Sequence, residues 1–254
     1  MNALAESFWT TLPLGEGVEL LNHDGNGLAA FSKPAGVLSH PNEPKDRPRC
    51  LIVAHYDAAA ERYQWTDEVG KESRRLWLLN RLDSATSGVI LMAADAELAT
   101  EIRAQFKRKQ VTKVYQALVF GRPAKSIETW KDLVAVQKKG GRIRTAADAG
   151  RVPAESVMKV IRMRPGDEPL ALIQLEPRTG RSHQLRVQCA KRHLPIVGDQ
   201  TYGDFGRNRA LAKRTGQTRL FLHSLATQFQ YEWKGRTCSF AARAPLPPEF
   251  GAVI

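Results

Sequence analysis

The sequence predicts an α+β fold in which antiparallel strand pairs dominate and helices are interspersed. Three observations support this prediction: many short segments alternate in period two, Gly-rich and Asn-rich turns separate them, and helical patterns do not follow every strand as in a doubly wound sheet. The 254 residues suffice for a sizeable core. Because no linker interrupts residues 18–254, we expect one domain there, preceded by an N-terminal arm at 1–17.

Two short strands joined by a tight turn open the predicted domain. Residues 18–21 and 28–31 are largely apolar, and the turn at 23–27 contains Asp, Asn and Gly, which favour a chain reversal. Residues 32–41 then read as a loop marked by Pro and Gly.

The next segment ends in the first stretch of chemical interest. Residues 42–75 are polar and irregular, with one candidate short helix at 52–63. Residues 76–82 alternate in period two and predict a strand, 84–88 form a turn, and 89–93 are uniformly apolar, as in a buried strand.

One helix and then a series of strands are predicted for the rest of the chain. Asp95 is suited to cap a helix that runs to about Lys107, with Leu98, Ile102 and Phe106 on one face. The later strands are predicted at 111–120, 155–164 and 170–176, with a closing hairpin in 229–241. The remaining expectations are a polar loop or hairpin at 121–151, a short helix capped by Ser182 and ending near His193, a turn at 195–203, and a basic, mobile stretch at 204–219.

The charge balance favours a polyanionic partner. The chain has 38 Lys and Arg against 26 Asp and Glu, a formal net charge of +12. Such an excess suits phosphate neutralisation and therefore nucleic acid.

The cysteine pattern and the N-terminus bear on the compartment. Cys50, Cys189 and Cys238 are far apart and include no CxxC pair, so a structural zinc site is not expected. Sparse free thiols suit a reducing compartment. Neither a signal peptide at the N-terminus nor an apolar run of about 18 residues is present, so we expect a cytoplasmic protein without membrane contact.

The first candidate for chemistry is the stretch that runs from Leu79 to Gly88. In an extended chain Arg81 and Asp83 point to one side, and Asp83 then lies where a strand enters a small, polar turn. Such a turn exposes a side chain at a sheet end. The alternative is an ordinary Asp that starts a turn.

Two further stretches carry cationic and aromatic side chains. Residues 176–187 place three arginines and His183 around a Gly turn that opens a helix, where Arg186 can pair with a carboxylate and the helix start can hold a phosphate. Lys113 and Tyr115 share one face of a strand, which suits base stacking. The alternatives are a solvated basic turn and a Tyr of the core.

Taken together, these stretches resemble the RluA family of RNA pseudouridine synthases. The matching residues occur in family order over about residues 18–250. They are Ser32-Lys-Pro-Ala-Gly-Val37, Arg81-Leu-Asp83 with Thr86-Ser-Gly88, Lys113-Val-Tyr115, Gly180-Arg-Ser-His-Gln-Leu-Arg186, Pro195-Ile-Val-Gly-Asp199 with Tyr202-Gly203, Leu222-His-Ser-Leu225 and Ala244-Pro-Leu-Pro247.

The resemblance implies a central mixed, mainly antiparallel sheet flanked by helices and loops, and isomerisation of specific uridines in ribosomal or transfer RNA. It implies no cofactor and no metal, and a target base that is flipped out of its stack. By the resemblance, Asp83 is the catalytic carboxylate, Arg186 its ionic partner and Tyr115 the ring that stacks on the uracil. The substrate-binding residues are expected to be Arg81, Lys113, Arg181, His183 and Leu185.

Several positions depart from the family's usual residues. Asn80 replaces a usual His, Ser84 and Ala85 replace charged residues, and Gln188 replaces another His. These departures indicate a divergent subgroup. Many relatives carry a small RNA-binding domain before the core, whereas about 17 residues precede it here, so RNA contacts are expected from the basic segments 107–109, 138–144 and 207–219.

Two other functions stay open at this stage. An RNA-binding protein with the same fold and weak or no catalysis is the closer alternative, against which the presence of Asp83, Tyr115 and Arg186 speaks. A metal-dependent nuclease would need clustered carboxylates or histidines, and the six histidines are scattered. A monomer is the working expectation.

Overall fold

The computed structural model describes residues 6–67, 71–135 and 151–254. The chain divides into two compact units. Unit 1 comprises Met1–Thr112 and Ser224–Pro245, and unit 2 comprises Lys113–His223 and Leu246–Ile254.

Unit 1 is built on antiparallel strand pairs. Its elements are α1 (Glu6–Thr10), β1 (Glu19–His23), β2 (Leu28–Lys33), a 3₁₀ helix (Pro44–Arg49), β3 (His55–Asp57), β4 (Arg62–Thr66), β5 (Ser73–Leu78), β6 (Ser87–Ala93), α2 (Ala96–Lys107), the greater part of β11 (Leu222–Trp233) and β12 (Arg236–Arg243). Strands β3, β4, β5, β6, β2 and β1 pair successively, each antiparallel to the next, and β11 pairs with β12.

The core of unit 1 lies between the buried strand β6 and helix α2. All seven residues of β6 are buried, and the face of α2 that carries Leu98 and Ile102 packs into the same apolar cluster. Asp95 caps α2 by accepting the backbone N–H groups of Glu97 and Leu98, which satisfies two donors that the helix start would otherwise leave unpaired.

Unit 2 also combines antiparallel strands with helices. Its elements are β7 (Thr112–Phe120), β8 (Ile127–Ala135), β9 (Arg151–Arg164), β10 (Leu170–Pro177), α3 (Gln184–Lys191), α4 (Phe205–Thr215) and α5 (Pro248–Val253). The strands pair in the order β8, β9, β10, β7, and every pair is antiparallel. The apolar residues of β10 and the second half of β7 are buried.

The predicted strands at 28–31, 89–93, 111–120, 155–164 and 170–176 and the hairpin in 229–241 are confirmed, and so is the helix capped by Asp95. The first predicted strand is displaced by one residue, to Glu19–His23. The segment before it packs against unit 1, since Phe8 and Trp9 are buried and Leu14 forms a bridge with Ile52.

The hairpin alternative for 121–151 is confirmed, since residues 127–135 form strand β8, which pairs antiparallel with the following strand β9. Three local predictions are wrong. Residues 52–63 contain strands rather than a helix, because Tyr63 and its neighbours pair with β3 and β5. Within 204–219, a regular helix replaces the predicted mobile stretch. Helix α3 is capped by His183 instead of Ser182.

The three cysteines are free thiols, and Cys50 and Cys189 are buried. Over the described part of the chain, no helix is long and apolar enough to cross a membrane.

Candidate active site

Asp83 lies in the connection between β5 and β6 of unit 1. The predicted strand 76–82 ends at Leu78, and the connection contains a turn in which the Thr86 N–H donates to the Asp83 carbonyl at 3.0 Å. Leu82 is buried, whereas Arg81 is exposed and Asp83 is half-buried. The alternation agrees with the prediction that the side chains of Arg81 and Asp83 lie on the same side.

The backbone on both sides of Asp83 is held by one loop. Ser39 Oγ donates to the Leu82 carbonyl at 2.8 Å and accepts the Leu82 N–H at 3.1 Å. On the other side, the Ser84 carbonyl accepts from Lys33 Nζ at 3.0 Å and from the Gly36 N–H at 2.8 Å. These bonds fix the residues before and after Asp83, and therefore the backbone position from which its side chain extends.

Lys33 is a charged side chain in a fully buried place. Its ammonium donates to the carbonyls of Pro34, Val37 and Ser84 at 2.9, 2.7 and 3.0 Å. Three carbonyl acceptors offset much of the desolvation of the charge. The sequence interpretation did not single out Lys33 as a site residue, although it lies at the start of the Lys-Pro-Ala-Gly match.

Asn80 and Gly88 anchor the two ends of the Asp83 segment. Asn80 Oδ1 accepts the N–H of Leu91 in β6 at 2.8 Å, and the Leu79 N–H donates to the Leu91 carbonyl at 3.0 Å. Gly88 has φ +111°, and a Cβ there would lie 2.1 Å from the Ser224 carbonyl oxygen, so only glycine fits.

In unit 2, helix α3 carries the predicted residues His183, Leu185 and Arg186. His183 caps the helix start in the left-handed conformation, with φ 53°. Leu185 and Arg186 are buried. The structure therefore places an arginine in the interior, where it needs a partner.

Asp199 supplies that partner. Arg186 Nε and Nη2 donate to Asp199 Oδ2 and Oδ1 at 2.7 and 2.8 Å, and Nη2 also donates to Thr201 Oγ1 at 3.1 Å. Oδ1 of Asp199 accepts the N–H groups of Thr201 and Tyr202 as well. Burial alone would raise the pKa of Asp199, but the hydrogen bonds and charge of Arg186 hold it below its usual value.

Tyr202 brings His183 and Arg186 together. Its hydroxyl lies 3.1 Å from His183 Nδ1, and its ring is 5.2 Å from the guanidinium carbon of Arg186. The ring therefore contributes a cation–π contact to the same arginine that Asp199 binds.

The loop that carries Asp199 is fixed by helix α4. Asn208 Oδ1 accepts the Gly198 N–H at 2.8 Å, and its Nδ2 donates to the Asp199 carbonyl at 3.1 Å. Gly198 has φ +76°, and a Cβ there would lie 1.7 Å from the Arg219 carbonyl oxygen. The helix that the sequence interpretation missed is thus part of the support of Arg186.

Lys113 and Tyr115 lie together on β7, where Tyr115 is directly opposite Leu175 of β10. Lys113 Nζ lies beside the loop before α3, 3.8 Å from the place of a Cβ on Gly180. Burial lowers the pKa of Lys113. Arg181 of the same loop is exposed, and its Nε donates to the Pro153 carbonyl at 3.4 Å.

A buried amide network holds α3 against β8 and β9. Gln188 Oε1 accepts from Ser156 Oγ at 2.7 Å, and Gln188 Nε2 donates to Asp132 Oδ2 at 3.0 Å. Gln184 Nε2 donates to Ser156 Oγ, while its Oε1 accepts from Thr179 Oγ1 at 2.7 Å. Gln188, one of the departures from the family pattern, therefore has a structural role in this chain.

The predicted residues thus fall into two sets. Arg81 and Asp83 lie in unit 1, while Lys113, Tyr115, Arg181, His183, Leu185 and Arg186 lie in unit 2. Within the ranges that the structure describes, no group of three or more His, Cys, Asp or Glu could hold a metal ion. The basic segment 138–144 lies outside the described residues.

Solved structures of similar shape define the class of fold. The human protein named RNA pseudouridylate synthase domain containing 1 aligns over 94% of this chain and 88% of its own, with a TM-score of 0.66 and 23% identity. Human RNA pseudouridylate synthase domain containing 4 also aligns with a TM-score of 0.66, at 21% identity and over 91% and 90% of the two chains. These likenesses confirm the α+β pseudouridine synthase fold.

Sequence comparison identifies the family. The profile of the RNA pseudouridylate synthase family matches residues 27–191, and the chain belongs to this family. The tRNA pseudouridine synthase C of Yersinia pestis is 30% identical over 240 residues, 91% of this chain and 88% of the relative. That of Haemophilus influenzae is 32% identical over 223 residues, 84% and 87% of the two chains. The protein is an RNA pseudouridine synthase of the RluA type, an isomerase, as the sequence motifs predicted.

Proposed function

We propose that the protein converts uridine to pseudouridine in transfer RNA, with Asp83 as the catalytic carboxylate. The observation that carries the assignment of Asp83 is the fixed backbone around it, where Ser39 holds Leu82 and Lys33 holds Ser84. A positioned carboxylate is what the reaction requires, because the group must meet the sugar in one orientation. The choice of transfer RNA rests on the names of the relatives from Yersinia pestis and Haemophilus influenzae.

The reaction breaks the bond between the ribose and N1 of uracil, turns the base and joins the ribose to C5. Atoms balance without a co-reactant, since the proton on C5 is exchanged for the new carbon–carbon bond and N1 becomes protonated. Asp83 acts in its ionised form. Tyr115 stacks on the uracil, and Arg186 is the cation that serves the carboxylate, both as the family resemblance implies.

The remaining proposed roles concern binding of the RNA. Arg81 and Arg181 are exposed cations suited to phosphate contact. Lys113 and His183 are partly buried donors, and Leu185 is an apolar side chain suited to the wall of a base pocket.

The test of Asp83 is tritium release from transfer RNA that contains [5-³H]uridine. Asp83→Asn is expected to abolish release while RNA binding stays close to that of the unchanged protein, because the amide keeps the shape and loses the charge. Asp167→Asn is the matched control, since Asp167 is exposed and distant in sequence. Substantial turnover by Asp83→Asn would overturn the assignment.

The substrate class has its own test. Pseudouridine mapping of total RNA from cells with and without the gene is expected to show a site in transfer RNA that disappears with the gene. A lost site in ribosomal RNA alone would contradict the proposed substrate and leave the chemistry in place.

Helix α4 is the proposed RNA-facing surface within the segment 207–219. Phe205, Arg209 and Lys213 recur every fourth residue and are all exposed. The other two cations of the helix contact other residues of the protein. The guanidinium carbon of Arg207 lies 4.3 Å from the Phe120 ring centroid, and Arg214 pairs with Glu168 at 3.0 Å. An exposed ring in line with two available cations suits a polynucleotide.

Binding at different salt concentrations tests this surface. Arg209→Ala with Lys213→Ala is expected to lower the slope of log affinity against log salt by about 1 to 2, because each lost phosphate contact removes roughly one released counterion. The control is Lys159→Ala with Arg162→Ala, two exposed cations of β9. Equal slopes for the two double variants would argue against α4.

The basic segment 107–109 at the end of α2 is the weaker candidate. Arg108 is engaged by Glu101 at 3.0 Å and by Gln110 at 3.1 Å. Lys107 and Lys109 flank it and are exposed. We assign them a minor share of the phosphate contacts.

Compartment, assembly and metal use complete the proposal. The free thiols support a cytoplasmic location. We propose a monomer that needs no metal ion. Light scattering at working concentration tests the monomer. Undiminished tritium release in the presence of a chelator is the result expected if no metal ion is needed.

A further inference from the structure

A stacked pair of rings lies on the same loop that fixes Asp83. The rings of His40 and Tyr56 are 5.0 Å apart at an interplanar angle of 9°. Tyr56 in turn packs at 4.9 Å on Tyr63, which is buried and whose hydroxyl donates to the Ser39 carbonyl at 2.8 Å. The pair is therefore built on a rigid base while its own two rings stay half-exposed.

Two hydrogen bonds of Ser39 connect the backbone beside the ring pair to the backbone beside Asp83. Ser39, the residue before His40, holds both backbone groups of Leu82, the residue before Asp83. Any displacement of the His40 backbone is thus transmitted to the neighbour of Asp83. The Ser39–Leu82 hydrogen bonds therefore connect the loop that carries His40 to the segment that carries Asp83, both within unit 1.

A cation belongs to the same patch. Arg81 is the residue before Leu82, whose backbone Ser39 holds. Burial and the charge of Glu61 raise the pKa of Tyr56 to about 12, and the charge of Arg81 opposes that rise. The Arg81 side chain is exposed, and it has no hydrogen bond or ion pair among residues 6–67, 71–135 and 151–254.

A polar contact and the stacking contact together fix the orientation of the His40 ring. His40 Nδ1 lies 3.1 Å from the Pro41 carbonyl, which fixes the ring plane, and the ring lies flat on Tyr56 rather than edge-on. Parallel flat rings at the surface, with an arginine beside them, have the geometry that accepts an unpaired nucleobase and the phosphate next to it.

We propose that His40 and Tyr56 form a stacking platform for a nucleobase that flanks the target uridine, and that Arg81 contacts the adjoining phosphate. The inference rests on the proposed role of Asp83, because a base can flank the target only if the target is brought to Asp83. Flipping a nucleotide leaves its neighbours unstacked, and a fixed ring pair offsets that loss.

The experiment measures binding without turnover, in the Asp83→Asn background. Transfer RNA with 2-aminopurine next to the target uridine is titrated with Asp83→Asn and with Asp83→Asn/His40→Ala. Fluorescence quenching is expected to weaken and the dissociation constant to rise roughly tenfold on loss of His40, as for loss of one stacked base. His40→Phe, which keeps a flat ring, is expected to retain most of the quenching.

The matched control is His55→Ala. His55 is the exposed neighbour of Tyr56 in β3, and in the part of the chain that the structure describes it has no ring partner. It is expected to leave quenching and affinity unchanged. Equal quenching for the His40→Ala and unchanged proteins would overturn the platform.

A crosslinking measurement tests the platform without any substitution in the rings, so its result does not depend on whether a variant folds. 5-Iodouridine placed next to the target is expected to crosslink to peptides that contain His40 or Tyr56, and crosslinks elsewhere would contradict the proposal. If only the platform proposal is wrong, loss of His40 leaves the quenching unchanged and Asp83→Asn is still inactive. If the Asp83 assignment is wrong, Asp83→Asn turns over substrate, and this result does not depend on the quenching measurement.

Discussion

Arg186 and Asp199 form a two-point ion pair inside unit 2. Two guanidinium nitrogens donate to the two carboxylate oxygens at 2.7 and 2.8 Å, and both side chains are almost fully buried. The pair joins helix α3 to the loop before α4, so the direction of the guanidinium is set by the carboxylate. Asp199 is thereby a positioning residue for an arginine to which we assign a catalytic role.

Removal of Asp199 is expected to destabilise the protein. Asp199→Ala takes the two-point carboxylate partner away from a buried guanidinium, and loss of one partner of a buried ion pair typically costs about 3–5 kcal/mol of the free energy of unfolding. Urea unfolding measures this loss. Asp204→Ala removes a helix cap instead and serves as the control, with an expected cost of about 1 kcal/mol.

Because of this ion pair, Arg186→Met alone would not test a catalytic role of Arg186. The variant leaves the buried Asp199 carboxylate without its main donor, so lower activity will coincide with lower stability. Arg186→Lys keeps the charge and loses the two-point geometry. A fall in kcat for Arg186→Lys at nearly unchanged urea midpoint would separate orientation from folding, whereas full activity would show that the geometry is not required.

Acid is expected to weaken the protein through Asp199. Because the pKa of Asp199 is held below its usual value, its stabilising contribution is complete above the unfolded-state pKa near 3.8 and is lost as pH falls through the lower, folded-state pKa. Urea midpoints from pH 7 to pH 2.5 test this. Below about pH 4 the unchanged protein should lose stability more steeply than Asp199→Asn, which has no carboxylate to titrate.

Lys33→Met tests the clamp on the Asp83 segment. The carbonyls of Pro34, Val37 and Ser84 lose a donor in a buried place, so the free energy of unfolding is expected to fall by roughly 2–4 kcal/mol. Tritium release is expected to fall as well, because the residue after Asp83 is no longer fixed.

Lys45→Met is the matched control for Lys33→Met. Lys45 lies in the 3₁₀ helix of the same region, its side chain is 79% exposed, and its ion pair with Glu43 lies on the surface. Unchanged stability and activity are expected, since exposed pairs contribute about 0–1 kcal/mol. A Lys33→Met protein as stable and active as Lys45→Met would refute the clamp.

Sequence patterns predicted the elements whose apolar residues are buried in a regular arrangement. The helix after Asp95 was recognisable because one of its faces is apolar and buried, and strand β7 because its second half is apolar and buried throughout. Helix α4 was missed because it buries only Asn208 and Leu211 and carries cations at four of its other positions. In strand β8, Ile127 and Leu133 point outward and remain exposed, so the apolar alternation disappears.

Candidate site residues were named from the sequence only where they lie in short motifs. Asp83, Tyr115 and Arg186 were named from local patterns and the family resemblance. The partner of Arg186 is 13 residues away along the chain, across a helix end and a loop, and no local periodicity reports such a pair. Lys33 was overlooked because a lysine is almost never fully buried unless paired, and its partners are backbone carbonyls, which the sequence does not distinguish.

Lys113→Met is expected to separate binding from stability. Burial lowers the pKa of Lys113, so folding disfavours its charged form, and between the folded and unfolded pKa values stability rises with pH. Methionine keeps the apolar stem and removes the charge. The urea midpoint at neutral pH should therefore hold or rise, while affinity for transfer RNA falls.

Lys159→Met is the control for Lys113→Met, because Lys159 is an exposed cation of β9 in the same unit. Lys159→Met is expected to change neither the urea midpoint nor the affinity for transfer RNA appreciably. A Lys113→Met protein that unfolds at lower urea would show that the ammonium stabilises unit 2, and unchanged affinity would remove Lys113 from the binding residues.

Asn80, where the family usually has His, is expected to act through the backbone of β6. Its Oδ1 accepts the N–H of Leu91, a residue with no exposed surface. Asn80→Ala leaves that amide without its acceptor, at a cost of about 1–3 kcal/mol. Asn80→Asp keeps an acceptor oxygen in place and is expected to retain most of the stability.

Hydrogen exchange at the Leu91 amide reports this bond directly. Exchange should accelerate in Asn80→Ala and stay slow in Asn80→Asp, because protection depends on the acceptor and not on the net charge of residue 80. Tritium release should follow the same order, since Asn80 lies three residues before Asp83 in the segment that Leu91 anchors. If Asn80→Ala kept both slow exchange and full activity, the backbone role would be refuted and the departure from His would need a contact with RNA to explain it.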